Sequence, residues 1–107
     1  MKTSIKFSGS IFIIFLVMMT LSCKKKDSTY TPDCSGGTKS FATDVQPIMQ
    51  NYCSGCHSSY GTYSGIVSNS ANIRSAIANG SMPKNGSLSD DQKNKVLCWI
   101  DNGALNN

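Results

Sequence analysis

A chain of 107 residues, of which 39% are hydrophobic, has room for one small domain. Its net charge of +4 comes from ten basic and six acidic side chains, but half of the basic ones lie before residue 27, so no predicted helix carries the basic stripe typical of nucleic-acid binding. The five cysteines and the single histidine are therefore the more informative part of the composition.

The first 22 residues have the pattern of an export signal. Two lysines form a basic start, nine apolar residues follow at 11–19, and the small Ser22 stands just before Cys23. The whole apolar stretch is 15 residues long, shorter than the roughly 20 that a membrane-spanning helix needs. We therefore expect residues 1–22 to be a signal peptide.

Leu21-Ser22-Cys23 resembles the end of a lipobox, which marks a bacterial lipoprotein for lipidation of its cysteine. Thr20 stands where that pattern has an aliphatic residue, so ordinary secretory cleavage after Ser22 is the alternative. A lipidated Cys23 would hold the protein on the periplasmic side of the bacterial cell envelope, with the lysines at 24–26 near the anionic headgroups. The alternative location is the soluble periplasm.

Residues 23–39 are polar, include one proline and two glycines, and have almost nothing apolar to bury. This composition predicts a flexible tether without stable structure. The one domain then spans residues 40–107, fewer than 70 residues. At this size a hydrophobic core alone provides only marginal stability, and a cross-link such as a disulfide or a cofactor is usually required.

The domain opens with a helical pattern that runs straight into a cysteine. Apolar side chains recur at i, i+4, i+7 and i+11, namely Phe41, Val45, Ile48 and Tyr52. Pro47 is tolerated only in the first turn of a helix. We therefore expect the regular helix to begin near Asp44, as its N-cap, with Phe41 in a lead-in turn.

Cys53-Ser54-Gly55-Cys56-His57 comes next and fits C-x-x-C-H, the attachment pattern of c-type haem. Thiols at this spacing can reach the two vinyl groups on one edge of a porphyrin, and the adjoining imidazole then serves as the proximal iron ligand. Thiol exchange is a rival use, but its motif would follow a strand in a βαβ unit, which is not predicted. Zinc is a second rival, and no further C-x-x-C supplies its remaining ligands.

Two more helices are predicted after the motif. Ser70 can cap a short helix that buries Ile73 and Ile77 and ends at Gly80. No segment alternates between apolar and polar residues for long, so no sheet is predicted.

The last helix is better marked, because Ser89 and Gln92 form a capping box and Gly103 can end the helix. Its inner stripe is expected to be Val96, Leu97 and Ile100, with Trp99 at the edge.

Helix, C-x-x-C-H, short helix, methionine loop and terminal helix follow in the order of the small monohaem class I cytochromes c, which this chain resembles. The resemblance implies an all-α domain wrapped around one covalently attached haem c, with a distal methionine. Met82, in the Gly80-Ser81-Met82-Pro83-Lys84 loop, is the candidate sixth ligand. Met49 lies four residues before Cys53 on the incoming helix, where we do not expect it to reach the distal face.

The function implied by the resemblance is one-electron transfer without catalysis. Cys53 and Cys56 would bind the haem through thioethers, while His57 and Met82 would bind its iron. We expect a monomer whose partners are redox proteins of the cell envelope and, through Cys23, the membrane surface. Two alternatives remain: a haem-based sensor or enzyme in which a gas or peroxide displaces the distal ligand, and a haem-free lipoprotein that uses C-x-x-C for thiol exchange.

Cys34 and Cys98 remain once the lipidated cysteine and the two thioether cysteines are subtracted from five. An even pair in an oxidising compartment favours a disulfide. Helical phase places Cys98 away from the inner stripe of the last helix, so Cys34 is expected to lie across its outer face. Intermolecular pairing and free thiols are the alternatives.

Four aromatic residues are candidates for the walls of the haem pocket or for contacts between helices: Tyr52, Tyr60, Tyr63 and Trp99. A tyrosine hydroxyl or the indole can also donate a hydrogen bond to a haem propionate.

Overall fold

The computed structural model describes residues 29–107, so the predicted signal peptide and Cys23 lie outside the described residues. Within this range the chain is helical and has no strand, which confirms the all-α class. Its α-helices are α1 Gln46–Tyr52, α2 Tyr63–Ser68, α3 Ser70–Ala78 and α4 Asp90–Asp101. A π-helical turn, Phe41–Val45, leads into α1, and a 3₁₀ helix, Ser58–Gly61, precedes α2.

The lead-in turn predicted at Phe41 is present, and the α-helix that follows begins at Gln46 with Val45, not Asp44, as its N-cap. Ser40 is the N-cap of the lead-in turn, and its hydroxyl accepts a hydrogen bond from the Thr43 amide. Asp44, predicted as the N-cap, instead accepts from the Ser40 amide at 2.8 Å through its carboxylate. The two side chains thus cap the same turn reciprocally, and the helix starts before Pro47, which lies in the first turn of α1 as expected.

Helix α3 buries Ile73 and Ile77, as the sequence predicts. Its N-cap is Asn69 and not Ser70, and no side chain caps this end. The reason is that the Asn69 amide group donates backwards to the Gly65 carbonyl of α2, at 2.8 Å. Asn69 is the single residue between α2 and α3, and its side chain bonds to the helix before it.

Helix α4 has the predicted capping box, and Gly103 ends it with a φ of +102°. The buried face differs from the predicted stripe. Val96 and Leu97 are fully buried, but Ile100 is only partly buried and Trp99 is 2% exposed. The cause is that α4 is covered on two sides, so its apolar face is wider than a single stripe.

Replacing Ser89 with alanine is expected to lower the free energy of unfolding by about 1 kcal/mol, the usual effect of losing an N-cap. The Ser89 hydroxyl accepts from the Gln92 amide at 3.2 Å, and the Gln92 side chain accepts from the Ser89 amide at 2.9 Å. Urea denaturation measures the change. Ser87→Ala is the matched control, because Ser87 is exposed two residues earlier. Equal losses in both variants would contradict the capping role.

The core between α1, α3 and α4 is closed at one end by an aromatic cluster. The rings of Phe41 and Trp99 have centroids 5.6 Å apart, and Tyr63 meets both rings edge to face. The Tyr63 hydroxyl donates to the Ala104 carbonyl and the Trp99 indole donates to the Leu105 carbonyl, each at 2.8 Å. The last residues of the chain therefore pair the polar atoms of this cluster.

Cys34 and Cys98 form a disulfide with their Cα atoms 5.4 Å apart, as the cysteine count favours. Cys98 was expected to face outward, but its side chain is fully buried. The segment that carries Cys34 covers it and makes specific contacts from Tyr30 onward. The Tyr30 amide donates to the Ala78 carbonyl at 2.7 Å, and the Tyr30 hydroxyl donates to the Asn94 side chain at 2.8 Å. Residues 30–34 of the predicted tether thus pack on the helices.

Candidate functional site

The C-x-x-C-H segment starts where α1 ends, with Cys53 as the C-cap residue of that helix. The amides of Cys53 and Ser54 both donate to the Met49 carbonyl, at 3.0 and 2.9 Å. The amides of Cys56 and His57 then donate back to the Cys53 carbonyl, at 3.3 and 2.9 Å. This tight turn holds two thiols and one imidazole on a short stretch of backbone.

A cleft of about 540 Å³ opens beside this turn. Its volume falls within the range of about 300–1,000 Å³ that is usual for small-molecule and cofactor sites. Ile73 and Ile77 of α3 supply apolar wall, and the loop after α3 supplies Pro83. The predicted ligand residues all line this one cavity: Cys53, Cys56, His57 and Met82.

The loop that carries Met82 is folded back onto α3. Gly80 leaves the helix with a φ of +77°, a left-handed conformation that glycine adopts without a Cβ clash. The Met82 amide then donates to the Ala76 carbonyl at 3.2 Å, and the Ser81 amide donates to the Asn79 side chain at 2.8 Å. These bonds fix the backbone of the loop where the partly buried Met82 side chain lines the cleft.

The environment of Cys53 differs from that of a thiol-exchange cysteine. Burial raises the pKa of the Cys53 thiol, whereas reactive redox thiols have a lowered pKa and commonly stand at helix N-termini. Cys53 stands at the opposite end of its helix, where the negative end of the dipole disfavours a thiolate. Both effects disfavour the thiol-exchange alternative.

The four aromatic candidates separate into two pairs. Tyr52 and Tyr60 line the cleft. Tyr63 and Trp99 belong to the aromatic cluster, and their hydroxyl and indole donate to backbone carbonyls. The Tyr52 hydroxyl accepts from the Gln92 side chain at 3.3 Å, which connects the cleft to the start of α4.

Met49 also lines the cleft and is fully buried, a position that no sequence pattern predicted. Met49 and Cys53 are four residues apart, so the helical period places them on one face. The same period groups Asn72 and Ala76 with Ile73 on the cleft side of α3. Lys84 is the single charged side chain that lines the cleft in the described chain.

In the part of the chain that the structure describes, no three His, Cys, Asp or Glu side chains are grouped closely enough to hold a bare metal ion. No helix among residues 29–107 has the length and apolar character to cross a membrane. No family model, curated protein or solved structure matches this chain.

Proposed function

We propose that this protein is a one-electron carrier that holds a single covalent haem c. The observation that supports it is the meeting of four side chains of suitable chemistry in one cleft: Cys53, Cys56, His57 and Met82. Their spacing along the chain made them candidates, but Met82 is 25 residues from His57. Only the fold of α3 and its loop brings the thioether to the cavity that the thiols and the imidazole share.

The residues of the cleft fit this group. Two thiols three positions apart can form the thioethers, and an imidazole nitrogen and a methionine sulfur are the axial pair of c-type electron carriers. The bound haem would supply an iron that gains and loses one electron. Met82 sulfur would favour the reduced state, and the apolar side chains of Met49, Ile73 and Ile77 would keep water away from the site.

The finer fold assignment, a cytochrome c-like wrapper, is part of the same proposal. The all-α order supports it, since α1 leads into the C-x-x-C-H turn, α3 leads into the methionine loop and α4 closes the domain. We also propose that the carrier is a monomer tethered to the cell envelope through a lipidated Cys23 and that it exchanges electrons with other envelope redox proteins. Cys23 lies outside the described residues, so its sequence pattern alone supports the tether.

The mature protein, produced in cells that attach c-type haem, is expected to keep its colour through acid-acetone extraction and denaturing electrophoresis, because thioether bonds survive both. The double variant Cys53→Ser and Cys56→Ser should lose all of this covalent colour. Cys34→Ser is the matched control, since it removes a cysteine outside the cleft and should keep it. Loss of all colour from the wild-type protein on denaturation would contradict the proposal.

A further inference from the structure

The imidazole of His57 lies against the ring of Tyr60. The two ring centroids are 4.7 Å apart and their planes are only 16° from parallel. This separation falls in the range of about 4.5–7 Å over which aromatic rings attract each other. The pair is local, because Tyr60 lies three residues after His57 and its amide donates to the His57 carbonyl at 2.9 Å.

The stack is the contact that orients the imidazole in the described chain. A metal-bound histidine usually donates its second ring N–H to a carboxylate, a carbonyl or a water, and this bond fixes the plane of the ring. The imidazole of His57 is exposed, so water can reach its ring nitrogens, and the stack on Tyr60 is the contact made to its flat face. The flat face of Tyr60 therefore restrains rotation of the ring.

Tyr60 is itself held firmly. It belongs to the 3₁₀ helix Ser58–Gly61 and packs against the hydrophobic core. Gly65 of α2 approaches the Ser59 carbonyl so closely that an added Cβ at position 65 would overlap that oxygen. The absence of a side chain at Gly65 thus allows α2 to pack on the turn that presents Tyr60.

We propose that Tyr60 is a positioning residue for the proximal imidazole, acting through its ring face. This inference rests on the proposed function, in which His57 binds the haem iron. A restrained ring plane fixes the orientation of the axial ligand.

The test compares Tyr60→Phe, which keeps an aromatic face, with Tyr60→Leu, which removes it. In the haem-loaded full chain, Tyr60→Leu should change the g values of the oxidised protein, which report the orientation of the imidazole ring. Tyr60→Phe should leave the g values at their wild-type values. Unchanged values in Tyr60→Leu would overturn the inference, and so would an equal change in Tyr60→Phe, because the hydroxyl would then be the active group.

A second measurement needs no variant and separates this inference from the proposed function. Magnetisation transfer between the ring protons of His57 and Tyr60 is expected in the NMR spectrum of the wild-type protein as purified, in its diamagnetic state. The absence of this transfer would show that the two rings are not stacked and would overturn the inference, even in a protein that carries haem. Its presence in a protein without covalent haem would retain the stack and contradict the electron-carrier proposal.

Gly65→Ala would push α2 away from the 3₁₀ helix that carries Tyr60, and so disturb the stack. It should shift the g values in the same direction as Tyr60→Leu does. Gly61→Ala is its matched control in the same turn, because an added Cβ there meets only the Ser54 side chain at an ordinary 3.7 Å. An equal effect of both alanines would overturn the role assigned to the Gly65 contact.

Discussion

In the haem protein proposed above, replacing Met82 with alanine is expected to abolish the sulfur-to-iron charge-transfer band of the oxidised state and to open the iron to cyanide and carbon monoxide. The reduction potential should fall by roughly 0.1–0.3 V, a fraction of the about 0.8 V over which axial ligands set haem potentials. The physical reason is that alanine offers no sulfur, while the loop backbone keeps its bonds to α3. Absorbance spectroscopy and a redox titration measure these changes.

Met49→Leu is the matched control, because Met49 is the other methionine that lines the cleft. The change conserves volume and removes sulfur, so the band should persist. An unchanged band in Met82→Ala would assign the sulfur ligand to Met49, whereas a wild-type protein without this band would point to a nitrogen ligand, with Lys84 as the first alternative since it lines the same cleft. A wild-type protein that binds carbon monoxide readily at rest would favour the sensor or enzyme alternative instead.

The second large effect is expected from Cys34→Ser. The disulfide joins residues 64 positions apart, and closing a loop of this length stabilises the folded state by about 4 kcal/mol in the chain-entropy treatment. We expect a loss of roughly 2–4 kcal/mol and a fall of more than about 10 °C in the unfolding temperature. The haem spectrum should stay unchanged, because neither cysteine lines the cleft.

Reductant provides the control for this experiment. In samples whose haem iron is already reduced, a thiol reductant should destabilise the wild-type protein by about as much as the substitution does, and it should leave Cys34→Ser unaffected. Cys98→Ala should reproduce the loss with an added cost from the cavity, since Cys98 is fully buried. A Cys34→Ser variant with wild-type stability would show that the packing of Tyr30 alone holds the segment in place.

Two helices could be predicted from the sequence because their capping residues or apolar stripes lie within the helices themselves or next to them. The capping box and Gly103 fix the ends of α4 through bonds between near neighbours, and Ile73 with Ile77 defines α3. Helix α2 was not predicted because it is six residues long with one buried side chain, Ile66. So short a helix is not stable alone and depends on its neighbours in the fold.

The residues of the candidate site likewise fall into those that the sequence pattern identified and those that only the fold brings to the cleft. Spacing alone identified Cys53, Cys56 and His57, because the chemistry of the motif is contiguous in the chain. The cleft-lining position of Met49 and the stacked ring of Tyr60 depend on how α1 and the 3₁₀ helix are oriented, which no local pattern encodes. The burial of Cys98 on α4 likewise depends on the segment from Tyr30 to Cys34, whose polar composition predicts no packing.

The disulfide also determines how the domain bears mechanical load. If the chain is anchored at Cys23, a pull from the membrane enters the domain at Tyr30 and Cys34. The Cys34–Cys98 bond passes that force directly into the middle of α4, and the bonds of Tyr30 and Asp33 to Asn94 share it one helical turn away. The turn at 53–57 lies off this path, whereas the bond from the Tyr30 amide to the Ala78 carbonyl carries part of the load to the end of α3, just before the methionine loop.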